Sequence, residues 1–445
     1  MSRRPVVILA ALAWLASPAR AAQSLSSGPV PPPAMQLGQP GQPLSLRDAE
    51  ARALQNHPQV ITGQLAAQAG GQTMREARSA YFPTVFGSVT GAAAQDGSRI
   101  AAGALNNPII LDRLAGGLTL SQLVTDFGRT SNLVATASLH QQSLEQDAVT
   151  DRADVLLRVD RSYFGALRAQ AIMRVAEATV SARQLVVDQV TALAQSNLKS
   201  GLDVSFAKVN LGEAQLLRLQ AQNDLAAAFA NLSVDLGQPD VPSYVLSEEP
   251  MPPAPPADVT ALVTQALHER PDVAAERLQR ESAARFAEAE HRLWFPTLAA
   301  IGAAGFVPYR QTGLNEQYSA IGINLNVPLT NGGLFSARHA VASLQALAED
   351  QRVRDLENRV SRDVRVALLD AQTGFQRLEL TSQLLDQATQ AEDLADARYR
   401  LGLSSIIELT QAQLNKTKAE IEQASARYDY QATSSALRYQ TGQLK

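Results

Sequence analysis

The chain of 445 residues contains no cysteine, few aromatic residues and no long uninterrupted apolar segment. Without cysteine we expect no disulfide, thiolate metal site, cysteine nucleophile or cysteine-linked lipid anchor. Aromatic residues make up 5% of the chain, which is little for a large globular core and favours long, thin helical packing. No segment approaches the roughly 18 apolar residues of a membrane-spanning helix.

The N-terminal residues 1–21 have the pattern of a secretory signal peptide. Arg3 and Arg4 precede a short apolar run, and a small-x-small cleavage pattern ends at Ala21. We therefore predict an exported protein. Removing the signal, with Arg3, Arg4 and Arg20, changes the formal charge from −4 to −7 (−4 − 3), which argues against a nucleic-acid partner.

Two segments, residues 192–207 and 397–412, predict the same helix–turn–helix. In each, a residue suited to the left-handed conformation is followed by a serine that can cap the next helix and an acid that can complete a capping box. These residues are Asn197, Ser200 and Asp203 in the first segment and Gly402, Ser405 and Glu408 in the second. Because each pair is 205 residues apart (402 − 197), we predict two helical tips in a duplicated chain.

The repeat extends over nearly the whole exported chain. We predict an extended segment over 22–44, a first repeat over 45–237, a proline-rich linker without regular structure over 238–257 and a second repeat over 258–445. Each repeat should contain a helix, a β-hairpin, a long helix of about 100 Å and a return helix. The predicted bounds are a hairpin over 80–126, a long helix over 128–196 and a return helix over 203–236, then a hairpin over 293–330, a long helix over 333–401 and a return helix over 405–442. The first helix should run from Ser45 to Ser79, with a kink at Pro58.

Alternating side chains in the hairpins place them in a membrane. The clearest strand, 318–329, alternates Ile, Leu and Val with Gly and Asn. Four such strands with one uncovered apolar face would leave a large patch and two open edges. A closed barrel in an outer membrane removes both. Four strands cannot close a barrel, so we predict oligomerisation, with eight strands from two copies or twelve strands and a pore from three.

These motifs, in duplicate and in this order, resemble the TolC-like outer-membrane efflux protein family. They are YFPT and WFPT at the strand starts, TDFG and TNGG at the strand ends, and YRLGLSSIIELTQAQ at the second tip. The resemblance implies a membrane α+β fold and a homotrimer. A long periplasmic α-helical barrel would continue a transmembrane β-barrel with four strands from each chain.

The resemblance also implies the location and the partners. The protein would lie in the outer membrane of a Gram-negative cell, surrounded by lipid and extending into the periplasm. Its partners would be a periplasmic adaptor (membrane fusion) protein and an inner-membrane pump of the RND or ABC type. The predicted function is a passive exit duct for efflux or type I secretion. The alternative is a soluble periplasmic coiled-coil adaptor, which the apolar hairpins argue against.

No enzymatic or cofactor-binding role is predicted. The sequence shows no nucleophile with a base, no phosphate-binding loop and no metal-ligand cluster, and its five histidines lack ligand spacing. We therefore expect no catalytic residue, no cofactor and no metal.

The resemblance assigns a periplasmic gate to the tips. Its acidic and tyrosine positions match Asp203, Tyr399 and Glu408. The family's tip arginine falls on Ser404 and its second acid on Gln411, so we expect fewer ionic contacts across the gate. For the two acids, the alternative is a capping role alone.

The exposed turn residues are predicted to contact the adaptor. They are Leu198, Lys199, Gly201, Leu202, Arg400, Leu401, Gly402 and Leu403. The alternative for the leucines is ordinary packing at a helix end.

Overall fold

The computed structural model describes residues 43–93, 112–238, 244–310 and 315–444. The predicted signal peptide and nearly all of the segment 22–44 lie outside the described residues. So do most of the first hairpin loop and linker residues 239–243. Among the residues that are described, no helix is both long and apolar enough to cross a membrane.

Apart from a 3-10 turn in the second half, the two halves of the chain contain the same elements in the same order. The first half consists of Pro43–Leu44 (β1), Leu46–Asn56 (α1), Pro58–Ser79 (α2), Thr84–Ala92 (β2), Arg113–Thr125 (β3), Arg129–Gln195 (α3) and Gly201–Asp235 (α4). The second consists of Val245–Leu246 (β4), Val259–Glu269 (α5), Pro271–His291 (α6), a 3-10 turn at Arg292–Trp294, Thr297–Arg310 (β5), Gln317–Asn326 (β6), Leu334–Arg400 (α7) and Ile406–Gln440 (α8). Helices α3 and α7 have 67 residues each, and α4 and α8 have 35 each.

The leading helix of each half is broken into two helices, whereas a single kinked helix was expected from Ser45. His57 is extended (φ −70°, ψ 125°) and its Nδ1 accepts a hydrogen bond from the Gln59 amide at 3.1 Å. Arg270 has almost the same backbone angles in the second half. Each of these residues precedes a proline, whose ring pushes the preceding residue out of the helical region. The proline therefore starts a new helix instead of bending the old one.

Four antiparallel strands form one sheet in the order β2-β3-β5-β6. Strand β3 pairs with β5, with Leu120 opposite Gly302, so the sheet joins the two halves of the chain. The last strand ends at Asn326 and not at 329 as predicted, because Pro328 has no amide hydrogen to donate to a ladder. Apolar side chains of β6 are open to solvent, with Ile321 92% exposed and Ile323 76% exposed.

The long helices define a layer below this sheet. Near the sheet, α3 packs between α2 and α6; toward the turns, it packs between α4 and α8. Helix α7 packs against α6 near the sheet and against α8 near the turns. Toward the turns the helices therefore lie side by side in the order α4, α3, α8, α7, and α4 also touches α8 close to the turns.

The linker contains regular structure, whereas none was predicted for 238–257. Strand β4 pairs in parallel with β1, so the linker and the start of the described chain meet. The Tyr163 hydroxyl on α3 contacts the carbonyl oxygens of Leu44 and Ser247, at 2.8 and 2.7 Å. On α8, Tyr430 donates to the Pro253 carbonyl at 2.5 Å. We call residues 244–256 the strap, because they are fastened across α3 and α8.

A candidate gate and docking surface at the helical turns

Both turns have the same backbone design. Asn197 and Gly402 follow the ends of α3 and α7 with positive φ angles of 61° and 73°. One residue further on, the amide of Leu198 donates to the Leu193 carbonyl at 2.9 Å, and the amide of Leu403 donates to the Arg398 carbonyl at 2.8 Å. This is the Schellman arrangement, in which a left-handed residue satisfies the last helical carbonyls.

The first return helix begins with a complete capping box. The Ser200 hydroxyl accepts a hydrogen bond from the Asp203 amide at 3.2 Å, and the Asp203 carboxylate accepts one from the Ser200 amide at 3.1 Å. Both bonds satisfy amides that a helix start leaves free. The Asp203 carboxylate is therefore held by its own turn.

The second return helix has only half of the predicted capping box. The Ser405 hydroxyl accepts from the Glu408 amide at 3.4 Å. The Glu408 carboxylate instead lies 3.4 Å from Arg398 Nε on α7. Both side chains are about half exposed, at 47% for Arg398 and 46% for Glu408. The longer glutamate reaches the neighbouring helix, which the shorter aspartate at the first turn does not.

Tyr399 joins the two turns. Its side chain is 7% exposed and packs in an apolar cluster with Val190 of α3 and Ile406 of α8. The Lys199 ammonium of the first turn lies 4.1 Å from the centre of the Tyr399 ring, within cation–π range. Burial, with a smaller effect from the Asp203 charge, raises the pKa of the Tyr399 hydroxyl. This hydroxyl has no hydrogen-bond partner within the described chain.

The two gate positions that depart from the family pattern are uncharged, and within the described residues neither forms a hydrogen bond to the other turn. Within the part of the chain that the structure describes, the buried Ser404 hydroxyl has no hydrogen-bond partner. Gln411 donates to Asn415 one turn further along α8, at 3.0 Å. Arg400, which was assigned to the adaptor contact, pairs with Asp396 of its own helix at 2.7 Å.

The end of the molecule presents a group of exposed leucines. Leu198 is 70% exposed, Leu202 65%, Leu401 74% and Leu403 68%. A Cβ added at Gly201 or Gly402 would meet no atom within 4 Å, so the backbone between the leucines is also open. An exposed apolar group of this kind favours contact with another protein.

Two contacts at the turns have no signal in the sequence. They are the Arg398–Glu408 ion pair and the placement of Lys199 over Tyr399. Asn210 of α4 also donates to Thr410 of α8 at 2.9 Å, which ties the two return helices together. Among the described residues, no group of three or more His, Cys, Asp or Glu could hold a metal ion.

Comparisons with known proteins agree on one family. The family model for outer membrane efflux proteins matches residues 51–238 and 262–443. The chain is 23% identical over 407 residues to the outer membrane protein TolC of Vibrio cholerae, which covers 90% of this chain and 91% of the relative. It is 25% identical over 400 residues to the protein CyaE of Bordetella pertussis, covering 87% and 81%. Among solved structures, the outer membrane protein VceC of Vibrio cholerae superposes with a TM-score of 0.76 at 19% identity, covering 89% and 96%.

The chain belongs to the outer membrane efflux protein family, because the family model covers most of both halves. The predicted family, function class and outer-membrane location are thereby confirmed, and the chain is an outer membrane efflux channel protein and not a soluble adaptor. The family is channel-forming and not enzymatic. The predominantly helical fold is that of the family's solved channels.

Proposed function

We propose that three copies of this chain close into one duct that carries substrates passively out of the cell. Each copy would contribute four strands to a twelve-stranded barrel in outer-membrane lipid and its helix layer to a barrel through the periplasm. An inner-membrane pump of the RND or ABC type would deliver the substrate through a periplasmic adaptor. The observation that carries the proposal is that, among the described residues, the sheet has two free edge strands and the helix layer has two outer helices with exposed apolar side chains.

The sheet supplies the first argument. Strands β2 and β6 are its edges, and the exposed apolar side chains on it include Val85, Val89, Ile321 and Ile323. Open edges beside an apolar face are unfavourable in water. Pairing β2 of one copy with β6 of the next removes every edge and gives the apolar face to lipid.

The helix layer supplies the second argument. Toward the turns, α4 and α7 are its outer members, and both carry exposed apolar side chains at matching heights. Val209 is 8 residues from the start of α4 and Leu394 is 6 residues from the end of α7, which places them about 12 and 9 Å from the turns. Leu219 and Leu384 are 18 and 16 residues away, or about 27 and 24 Å. All four are at least 52% exposed. Contact between α4 of one copy and α7 of the next would bury both rows.

Engineered disulfides test this ring, and the absence of native cysteine gives a clean background. Oxidised Val209→Cys/Leu394→Cys protein should form covalent dimers and trimers on denaturing gels and nothing larger. The control is Val209→Cys/Leu369→Cys, because Leu369 is exposed on α7 but lies 31 residues from its end, about 46 Å from the turns. Equal cross-linking in the control, or a ladder beyond three chains, would contradict the closed trimer.

We assign the periplasmic gate to Asp203, Tyr399, Ser404, Glu408 and Gln411. The cluster around Tyr399 supports this assignment, since it brings the two turns together at the end of the helices. Six carboxylates, from Asp203 and Glu408 of three copies, would favour cations at the entrance. Since Glu408 is held by Arg398 of its own chain, fewer ionic contacts would lock the copies together, and the gate would open more easily.

Single-channel recording in planar bilayers tests the gate. Cation selectivity should fall in Asp203→Ala/Glu408→Ala. It should remain in the control Asp188→Asn, which changes an exposed acid on α3 before the first turn. Unchanged selectivity in the double variant would remove the carboxylate ring from the proposal. A closed-state conductance as low as in a relative with the full set of gate charges would refute easier opening.

We assign the adaptor contact to the turn residues Leu198, Lys199, Gly201, Leu202, Arg400, Leu401, Gly402 and Leu403. The four exposed leucines support it, because together they form an apolar end surface. A photo-crosslinker at Leu403 should capture the adaptor in cells, whereas one at Leu219, far from the turns, should not. The proposal includes export with removal of residues 1–21, which N-terminal sequencing of the protein from outer membranes would check.

A further inference from the structure

The carboxylate of Asp160 is buried in the middle of α3. Its residue is 0% exposed, and within the described chain no hydrogen bond of normal geometry reaches either carboxylate oxygen. The polar groups beside it include the Ser435 hydroxyl and the carboxyl group of Glu50. An ionised carboxylate in such a place is unfavourable, because burial removes its water and few hydrogen bonds replace it. The position therefore needs a chemical explanation.

The group opposed to Asp160 is a second acid, Glu50 of α1. The two carboxyl groups are within hydrogen-bonding reach of each other. Burial, followed by the Asp160 charge, raises the pKa of the half-buried Glu50 to about 7. Burial also raises the pKa of Asp160. Two carboxylates that face each other can be satisfied only if one of them keeps its proton and donates it to the other.

Three other groups act on the pair. Two of them belong to α8 and one belongs to the strap. On α8, the Arg438 charge lowers the pKa of both acids, and the Ser435 hydroxyl lowers that of Asp160. On the strap, the Glu249 charge raises the pKa of Glu50. Arg438 can compensate one negative charge of the pair, which suffices when the pair keeps one proton. The fully ionised pair, beside the Glu249 carboxylate, carries an excess of negative charge.

The pair lies where the strap and α1 attach to the helix layer. Glu249 of the strap accepts a hydrogen bond from the Leu46 amide at the start of α1, at 3.1 Å. Under the strap, a cavity of about 510 Å³ is lined by Glu249, Ser435 and Arg438, among others. The cavity gives solvent a route to Glu249, Ser435 and Arg438, which act on the carboxyl pair.

We propose that Glu50 and Asp160 share one proton, and that this proton fastens α1 and the strap to α3 and α8. Loss of the proton leaves two adjacent carboxylates on α1 and α3 and drives these elements apart. The attachment is therefore tight in acid and loose in alkali. It is a device within one chain and does not depend on how copies assemble.

The direction of the pH dependence follows from proton binding. Between the ordinary glutamate pKa of 4.5 and the folded value of about 7, the folded chain holds more protons than the unfolded chain. Stability therefore falls as pH rises through this window, is greatest below it and is fully reduced above it.

Hydrogen exchange of the full-length protein at pH 5.5 and 8.5 tests the proposal, after correction for intrinsic exchange rates. Amides of α1 and the strap should open roughly tenfold more often at the higher pH, the effect of about one pKa unit. The full shift is not expected, because Glu50 is only half buried. In Glu50→Gln the dependence should disappear, since the amide donates to Asp160 at every pH. The control Glu76→Gln, an exposed acid on α2, should keep it.

A second readout observes the proton itself. Infrared difference spectra between the two pH values should show a protonated carboxyl band that is absent from Glu50→Gln and present in Glu76→Gln. This readout remains available if Asp160→Asn fails to fold. Equal protection of the strap at both pH values, or a dependence that survives in Glu50→Gln, would overturn the proposal.

Discussion

The two helical turns share a backbone and differ in their charges. Both use a left-handed residue, a Schellman bond and a serine cap. At the first turn the acid, Asp203, closes its own cap. At the second turn the acid, Glu408 of α8, pairs with Arg398 of the neighbouring helix α7. Duplication thus kept the geometry that ends one helix and starts the next. The side chains that face the rest of the molecule were free to diverge.

The largest difference should appear in the left-handed residues themselves. Gly402→Ala should weaken the second turn by about 1–2 kcal/mol, because a Cβ is disfavoured at this φ angle. Asn197→Gly should leave the first turn almost unchanged, since glycine adopts the same angle freely. Hydrogen exchange at the turn amides measures both, and similar responses would contradict the shared backbone requirement.

The serine caps should rank next. Ser200→Ala breaks the anchor of a complete capping box and should cost about 1 kcal/mol. Ser405→Ala removes one bond of 3.4 Å and should cost about half as much. Exchange at the first amides of α4 and α8 would show the difference. The reverse order would mean that the Asp203 carboxylate contributes nothing to the first cap.

Contact between the turns should contribute somewhat less. Lys199→Gln removes the cation from the face of the Tyr399 ring and should cost about 0.5–1 kcal/mol. Protection should fall at the second turn, where the ring lies, as well as at the first. Lys208→Gln, at an exposed site on α4, is the matched control. Equal effects of the two variants would assign the loss to net charge and not to the ring contact.

The smallest effect is expected for the ion pair at the second turn. A double-mutant cycle with Arg398→Gln and Glu408→Gln should give a coupling of a few tenths of a kcal/mol, because both side chains are half exposed. The coupling should vanish in roughly 1 M salt, where the screening length is about 3 Å. A salt-independent coupling would show that the pair is shielded from solvent in the assembled protein.

Local signals in the sequence predicted the turns, whereas the side-chain contacts made at the turns depend on residues that the fold brings together. Asn197 and Gly402 are recognisable because few residues tolerate a positive φ angle. The pairing of Glu408 with Arg398 depends on the crossing of two helices, which no local pattern encodes. The same holds for Lys199 and Tyr399, which are 200 residues apart.

The elements of the fold also divide into those with a local signal in the sequence and those without one. The unbroken runs of α3 and α7 contain no proline, so their extent could be estimated from the sequence. The separation of α1 from α2 was underestimated as a kink, although Pro58 marked the place. The pairing of β1 with β4 could not be predicted, because two-residue strands carry no periodicity. Asp160 resembled one more helix-face acid, and only its burial revealed it.

The equal lengths of corresponding helices have a mechanical consequence. The two helical hairpins have equal lengths, with 67 residues in each long helix and 35 in each return helix. Their turns can therefore lie at the same level. Deleting a single residue from one helix would shorten it by about 1.5 Å and rotate its end by about 100°. Length can therefore vary freely only in the β-hairpin loops, at the end opposite the helical turns. The sequence offset between the two halves changes there by 8 residues (213 − 205). We expect insertions to be tolerated in the β-hairpin loops. In the helical hairpins, we expect an insertion only where the corresponding helix of the other half carries a matching one.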